Sequence, residues 1–341
     1  MPAEPTPLPP EELDRIYRTF IRPLLFDPSP SVGTAAPTLV LLGGQPGAGK
    51  SRASARLVTE HDGPIAVLSG DDLRIFHPDY RRLITANPEQ AGPVLAEATS
   101  AWVRAAIQDA FQSRHSLILE GTFGDPTTTL ATAARFRQTG FQIRIVAIAS
   151  PRVLSIITAA SSYLRDLRAG APARFTRLSA HDRGYAGTAR LIEWLDPATH
   201  ADRITILSRI GRILYDHHVD QGGSMPDDAG AALRDGRHPT SWGARSTMEV
   251  LGELKQITAY AIASGHLTED VAELLIEAHS LALEEVVPRL SIDAASPQAR
   301  FIRQAVTEQA ITLRRALNPP VPNGSETGPI EPTSGIGEPV R

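Results

Sequence analysis

The octapeptide Gly44-Gln45-Pro46-Gly47-Ala48-Gly49-Lys50-Ser51 matches the phosphate-binding pattern G-x-x-x-x-G-K-[ST] and follows directly on an apolar run, Thr38 to Leu42, that reads as a buried strand. Its glycines allow the backbone to curl so closely that successive N–H groups face a β-phosphate, and the positive end of the helix beginning near Lys50 adds its partial charge. Lys50 is expected on β- and γ-phosphate oxygens and Ser51 on Mg²⁺, so Gly44, Gln45, Pro46, Gly47, Ala48, Gly49, Lys50 and Ser51 form the expected ATP and Mg²⁺ site. The competing reading is a chance glycine-rich turn. The strand before the loop and the helix expected after it, Arg52 to Thr59, argue against chance.

Working outward, strands alternate with helices. Pro64 to Ser69, Ser116 to Glu120, Phe141 to Ala149 and Arg203 to Leu207 read as further strands; helices are expected around Glu89 to Ser113, after Asp125-Pro126, and from Pro151 to Arg168. Crossover rules then predict an α/β P-loop NTPase-type parallel sheet with helices on both faces, with ligands at the carboxyl ends of the strands. Ahead of it, Leu13, Ile16, Tyr17, Phe20 and Ile21 form one apolar face of a helix that begins near Pro10 and is expected to end by Pro23. Beyond Trp242 three helices are expected, Thr247 to Ala263, Thr268 to Val287 and Pro297 to Leu317. Leu274, Leu275, Ala278, Leu281 and Ala282 there have core-packing spacing. The expected division is an N-terminal helix and linker (1–37), a P-loop core with lid (38–220), a helical C-terminal region (221–317) and a disordered Pro/Gly/Ser tail (318–341).

The length of 341 residues and 42% hydrophobic content suit an ordinary globular chain with a sizeable core. Thirty-four Lys plus Arg against 38 Asp plus Glu give a net charge of −4, and with 5% aromatic residues a basic groove with stacking platforms for polynucleotides is disfavoured. There is no cysteine, which removes thiolate chemistry. MPAEPTPLPPEEL has neither the basic region nor the apolar core of a signal peptide, and no apolar run approaches a membrane span, so the expected location is cytoplasmic, with neither nucleic acid nor membrane as partner.

The second strand is followed by Gly70-Asp71-Asp72-Leu73-Arg74. A carboxylate at a strand end can relieve an acceptor hydroxyl of its proton, or it can cap the next helix. Arg74 is a substrate clamp or a surface charge, and His77 before Pro78 is a turn residue first. The third strand ends Glu120-Gly121-Thr122, where Glu120 suits substrate hydroxyls or a Mg²⁺ water and Thr122 a phosphate or sugar, with a capping pair as the alternative. The segment Leu164 to Arg177, with arginines at 165, 168, 174 and 177, reads as a mobile basic lid or as a solvated loop.

These residues resemble the zeta toxins, P-loop small-molecule kinases of bacterial toxin–antitoxin systems. The resemblance rests on GGQPGAGKS, GDDLRIFHPDY, LEGTF, ARFTRLSAHD (173–182) and RITILSRIGRILYDHH (203–218), in that order. It implies phosphorylation of the amino-sugar hydroxyl of UDP-N-acetylglucosamine, with Asp71 as base, Lys50 and Ser51 on phosphates and Mg²⁺, Asp72, Arg74, Glu120 and Thr122 on the acceptor, Arg174 reaching the transferring phosphate, and an antitoxin protein as partner. Arg209, in the last segment, is expected on the nucleotide side. One departure is Ser162, where the family usually carries a second arginine in an Arg-Tyr pair; Arg165 or Arg168 is the expected substitute, or else the acceptor differs. The N-terminal helix is expected to pack on the sheet, the alternative being a cis counterpart of an antitoxin helix. The other functional readings are a P-loop kinase for an antibiotic, another nucleotide or a cofactor, and a nucleotide-binding ATPase or switch; no Asn-Lys-x-Asp guanine motif is present.

Overall fold

The computed structural model describes residues 7–26, 36–86, 88–219, 225–240, 243–290 and 292–317, so most of the expected 27–37 connection and the expected disordered tail lie outside the described residues. Among the described residues six strands form one sheet: β1 (Thr38–Gly43), β2 (Ala66–Ser69), β3 (Leu117–Gly121), β4 (Gln142–Ala149), β5 (Arg203–Ser208) and β6 (Ile213–His218). Their spatial order is β2-β3-β1-β4-β5-β6; the first five run parallel and β6 pairs antiparallel with β5. The parallel order puts all five carboxyl ends along one edge, the place the sequence reading assigns to the chemistry.

Strand β1 is buried on both faces, as a central parallel strand must be. Leu39 and Leu41 join the cluster on one face, Val40 and Leu42 the cluster on the other. The first cluster is completed by α5 (Pro88–Ser113), α6 (Pro126–Gln138), α8 (Leu178–Glu193) and α10 (Met225–Arg237), the second by α3 (Lys50–Glu60). Asp125 caps α6, its carboxylate accepting from Thr127 N–H at 3.1 Å with Pro126 at the first helical position.

The N-terminal helix continues past its expected stop. It runs as α1 (Pro10–Ile16), a π turn (Tyr17–Ile21) and α2 (Arg22–Leu25), with Pro23 inside. The wider turn before Pro23 relieves the need for the N–H that proline lacks. Ile16, Tyr17, Ile21 and Phe26 are buried in the sheet cluster, Trp102 Nε1 donates to the Leu13 carbonyl at 3.0 Å, and Tyr17 and Arg22 both donate to Asp109. The apolar face of this helix is therefore consumed in packing except at Phe20, which stays exposed.

Strand β6 was not anticipated. Its sequence, ILYDHH, is exposed or half-buried throughout, as at a sheet edge, and a tight turn at Arg209–Arg212, with Gly211 at φ +85°, returns it beside β5. The short helices α4 (Tyr80–Ala86) and α9 (Pro197–His200) complete the core. The expected C-terminal helices are present as α11 (Ala244–Ser264), α12 (Glu269–Leu281, continuing through a π turn to Val286) and α13 (Pro297–Leu317). They share one buried cluster with α7 (Arg152–Arg168): Val153, Ile156, Ile157 and Leu164 meet Leu254, Leu274, Leu275 and Leu313. Helix α10 belongs instead with the sheet, through Ala229 and Leu233.

Candidate active site

The loop geometry follows from its glycines. Gly47 sits at φ +75° and Gly49 at φ +103°, and a Cβ at Gly47 would lie 2.1 Å from the Ser155 carbonyl oxygen of α7. Gly49 then starts α3 in the left-handed conformation, leaving the N–H groups of the first turn aimed into the loop. Lys50 Nζ donates to the carbonyls of Gly44 at 2.8 Å and Gln45 at 3.3 Å. Burial pushes its ammonium below the ordinary value, while Asp71 and Glu120 pull it back up and Arg174 adds to the lowering. Four of the expected site residues thus share one electrostatic field at the strand ends. Ser51 is exposed on the first turn of α3, beside the loop.

The strand-end carboxylates are placed by strand register. Glu120 is level with Leu42 of β1 and Ser69 of β2, and Asp71 lies two residues beyond Ser69. Burial raises the Glu120 carboxyl above its ordinary range; Lys50 opposes this, and Asp72 and Asp71 add to it. Asp71 Oδ1 accepts from Arg74 Nη2 at 2.8 Å, and Oδ2 from Arg174 Nη2 at 2.7 Å. The capping alternative fails for Asp71, since its side chain makes no cap bond to the 3-10 turn Asp72–Phe76. Asp72 is exposed on that turn, and His77 is buried, its Nδ1 accepting from Asp79 N–H as a turn residue would. The Nε–H of Arg74 is buried without a hydrogen-bond partner, above a narrow slot lined by Tyr80, Leu95, Ala173 and Phe175.

The expected lid is a loop, residues 169–177, between α7 and α8, and it is anchored at several points. Ala173 is buried, Phe175 meets Tyr163 edge-on at 5.0 Å, and Arg177 pairs with Asp270 of α12 at 3.4 Å. Of the two candidates to replace the charge absent at Ser162, Arg168 sits over the Tyr260 ring at 5.9 Å, facing the C-terminal helices, and Arg165 is exposed. Arg209 braces the loop from outside: it donates to the Gly47 carbonyl at 2.8 Å and to Thr158 Oγ1 at 2.6 Å. Thr122 is exposed beside the loop, where α8 crosses so closely that a Cβ at Gly184 would lie 3.1 Å from Thr122 Cβ and 3.2 Å from Gln45 Cα.

Sequence reasoning passed over α8 and a set of buried polar residues behind the loop. Gln45 is fully buried, and its Nε2 donates to the Ser150 carbonyl and to Ser155 Oγ, both at 3.1 Å. Ser155 meets His181, which meets Asp182, which holds Arg152. The glycine pair Gly184 and Gly187, spaced for close helix approach, was the available signal for α8; a Cβ at Gly187 would fall 2.1 Å from the Phe123 carbonyl oxygen.

The cradle fits a nucleoside triphosphate. Its glycines leave no room for side chains, its helix start offers N–H donors, and Lys50 supplies the charge. Among the described residues no group of three or more His, Asp or Glu is arranged to hold a metal ion, so Mg²⁺ would rely on the Ser51 hydroxyl together with phosphate oxygens. No described helix is long and apolar enough to cross a membrane.

Comparison with known proteins agrees with this fold. The chain is 25% identical over 182 residues to toxin zeta of Enterococcus hirae, covering 53% of this chain and 63% of that protein, and 27% identical over 127 residues to toxin PezT of Streptococcus pneumoniae, covering 37% and 50%. It therefore spans between half and somewhat less than two thirds of the length of these curated relatives. A solved structure from the PezAT chromosomal toxin–antitoxin system of Streptococcus pneumoniae superposes with a TM-score of 0.62 at 20% identity, covering 74% of this chain and 98% of that one, which is agreement in fold. The Zeta toxin family profile matches residues 25–220, more than half the chain and the whole of the sheet with its strand-end residues, and on that match the chain belongs to the zeta toxin family.

Proposed function

We propose that the protein is an ATP-dependent phosphotransferase that moves the γ-phosphoryl group onto a hydroxyl of UDP-N-acetylglucosamine. The observation that carries the reading is the Asp71–Arg174 ion pair at 2.7 Å, set at the strand edge within the field of Lys50. A carboxylate able to take a hydroxyl proton and a guanidinium able to meet a transferring phosphoryl group already stand side by side. In the reaction the hydroxyl oxygen bonds to γ-phosphorus, the bond to the β-bridging oxygen breaks, and the hydroxyl proton passes to Asp71.

Both oxygens of Asp71 are ion-paired in the structure, so an arginine that exchanges partners makes the carboxylate a better proton acceptor. Arg174, on the loop, has the phosphoryl group as its alternative partner. Its turn toward that group releases the Asp71 oxygen and couples charge stabilisation to base activation. Lys50 trades the Gly44 and Gln45 carbonyls for phosphate oxygens, while Ser51 would hold Mg²⁺, which shields phosphate charge when bound. Asp72, Arg74, Glu120 and Thr122 surround the acceptor, with the buried Arg74 Nε–H as an unspent donor. The acceptor identity rests on resemblance to the zeta toxins, as does an antitoxin partner and a cytoplasmic location.

The engagement of Arg168 with Tyr260, together with Ser162, favours a second reading in which the acceptor is a different small molecule. Mass spectrometry of a panel of sugar nucleotides, nucleosides and aminoglycosides incubated with Mg-ATP separates the two. A single added phosphate on UDP-N-acetylglucosamine is expected. Phosphate on another member replaces the acceptor, and ATP hydrolysis indifferent to the whole panel overturns the transferase reading.

A further inference from the structure

Behind the P-loop a line of hydrogen bonds and ion pairs runs out to the C-terminal helices. Asp182 is ionised and only accepts; burial opposes its charge, and its bonds from Arg152 and His181 hold its carboxyl below the ordinary range. His181 Nδ1, at 2.9 Å from it, must carry the proton, which leaves Nε2 as an acceptor. With Nε2 an acceptor, the Ser155 hydroxyl at 2.8 Å donates to it in preference to the Arg152 and Pro151 carbonyls, at 3.0 and 3.3 Å, and its oxygen is left to accept from Gln45 Nε2–H. Each donor direction is fixed by the one before it. At the far end Arg152 grips Asp182 with two nitrogens, at 2.9 and 2.7 Å, and turns its third to Glu277 of α12. Ser155, His181 and Asp182 have the order of a nucleophilic triad. With Ser155 and His181 at 0% exposure and the serine oxygen already accepting from Gln45, that chemistry is closed to them.

What this line controls is Gln45. Its amide has no other side-chain partner, its Oε1 is buried without a hydrogen bond, and its backbone carbonyl is one of the two that hold Lys50. A reversed amide would face the Ser150 carbonyl with an oxygen, so that carbonyl sets which way the amide faces, and the Ser155 hydroxyl is the side-chain contact that anchors it in place. We infer that Glu277 is a positioning residue for the P-loop, acting through Arg152, Asp182, His181 and Ser155 on Gln45. The C-terminal helical part is then a component of the nucleotide site. This rests on the reading that the P-loop binds ATP.

The test is the ATP dissociation constant, by titration calorimetry, of wild type, Glu277→Ala, Ser155→Ala and the double variant. Each single change is expected to weaken ATP about tenfold, the scale of coupling within one bonded network, and the double variant no more than the worse single. Glu277→Gln, which keeps an oxygen facing Arg152, is expected to recover most of the loss. Glu253→Ala, which cuts a different link from α11 to Ser161 of α7, is expected to stay within about twofold. Unchanged affinity in Glu277→Ala, or multiplied effects in the double variant, would overturn the inference. Amide exchange over residues 44–51, faster in Glu277→Ala than in Glu253→Ala, reads the same coupling without nucleotide; if wild type binds no ATP, it is the P-loop reading that fails, and this exchange still decides the relay.

Discussion

The two sides of the strand edge are built on different principles. On the donor side the shape is set by backbone: positive φ at Gly47 and Gly49, carbonyls that hold Lys50 and Arg209, and a buried amide at Gln45. On the acceptor side it is set by half-exposed ion pairs, with Asp71 and Arg174 showing side-chain exposures of 47% and 44%. Backbone geometry cannot be exchanged for a ligand, whereas an exposed ion pair exchanges at little cost, since pairs of this kind contribute about 0–1 kcal/mol to stability. The arrangement suits a rigid cradle for a common donor facing a side that rearranges when its acceptor is seated.

The sharpest way to break this contrast is at Asp71. Asp71→Asn keeps the shape and removes the proton acceptor, and steady-state transfer is expected to fall about 10²–10⁴-fold while the melting temperature barely moves. A large loss of stability would make Asp71 structural. Arg174→Ala comes next, at about 10²–10³-fold in kcat, with Arg174→Lys recovering only part because a point charge lacks the planar fork. On the donor side Gly47→Ala forces both a strained φ and a Cβ against the Ser155 carbonyl, so at least about tenfold in ATP affinity should go together with lost thermal stability. That pairing of effects is the signature of backbone design, and its absence would erase the contrast.

The smallest expected effect sharpens the middle ground. Glu120 has a folded-state pKa raised from 4.5, so the folded protein binds the proton more tightly than the unfolded chain, and stability falls as pH rises from 4.5 through the raised value. Glu120→Gln removes that titration. Thermal melts are expected to show the variant gaining on wild type as pH rises through that window and holding a constant gain above it. A wild-type advantage at neutral pH would mean that attraction to Lys50 outweighs desolvation.

How much was legible in the sequence follows from how local each signal is. The β1 strand and the loop fall within fourteen residues, 38–51, and their pattern is specific. Asp71, Glu120 and Thr122 could be placed because parallel strands end on one edge, but the residues alone did not separate Asp71 from Asp72; only the family resemblance did, and the pairing of Asp71 with Arg174, about a hundred residues away, was not readable from spacing. Strand β6 hid because an edge strand tolerates Asp216, His217 and His218, so its hydrophobic signal is weak. Helix α8 hid because Gly184 and Gly187 look like helix breakers until the close passage over Thr122 and Phe123 explains them. The polar line from Gln45 to Glu277 draws residues from four separate stretches, and no spacing rule links them.

The central claim, a fixed donor cradle beside an exchangeable acceptor side, is tested most directly by measuring ATP dissociation constants for wild type and Asp71→Asn alongside their rates of phosphate transfer. The account predicts that transfer collapses while ATP affinity stays within about twofold, because Asp71 does not shape the cradle. Affinity that falls in parallel with transfer would contradict it and would make the two sides one unit.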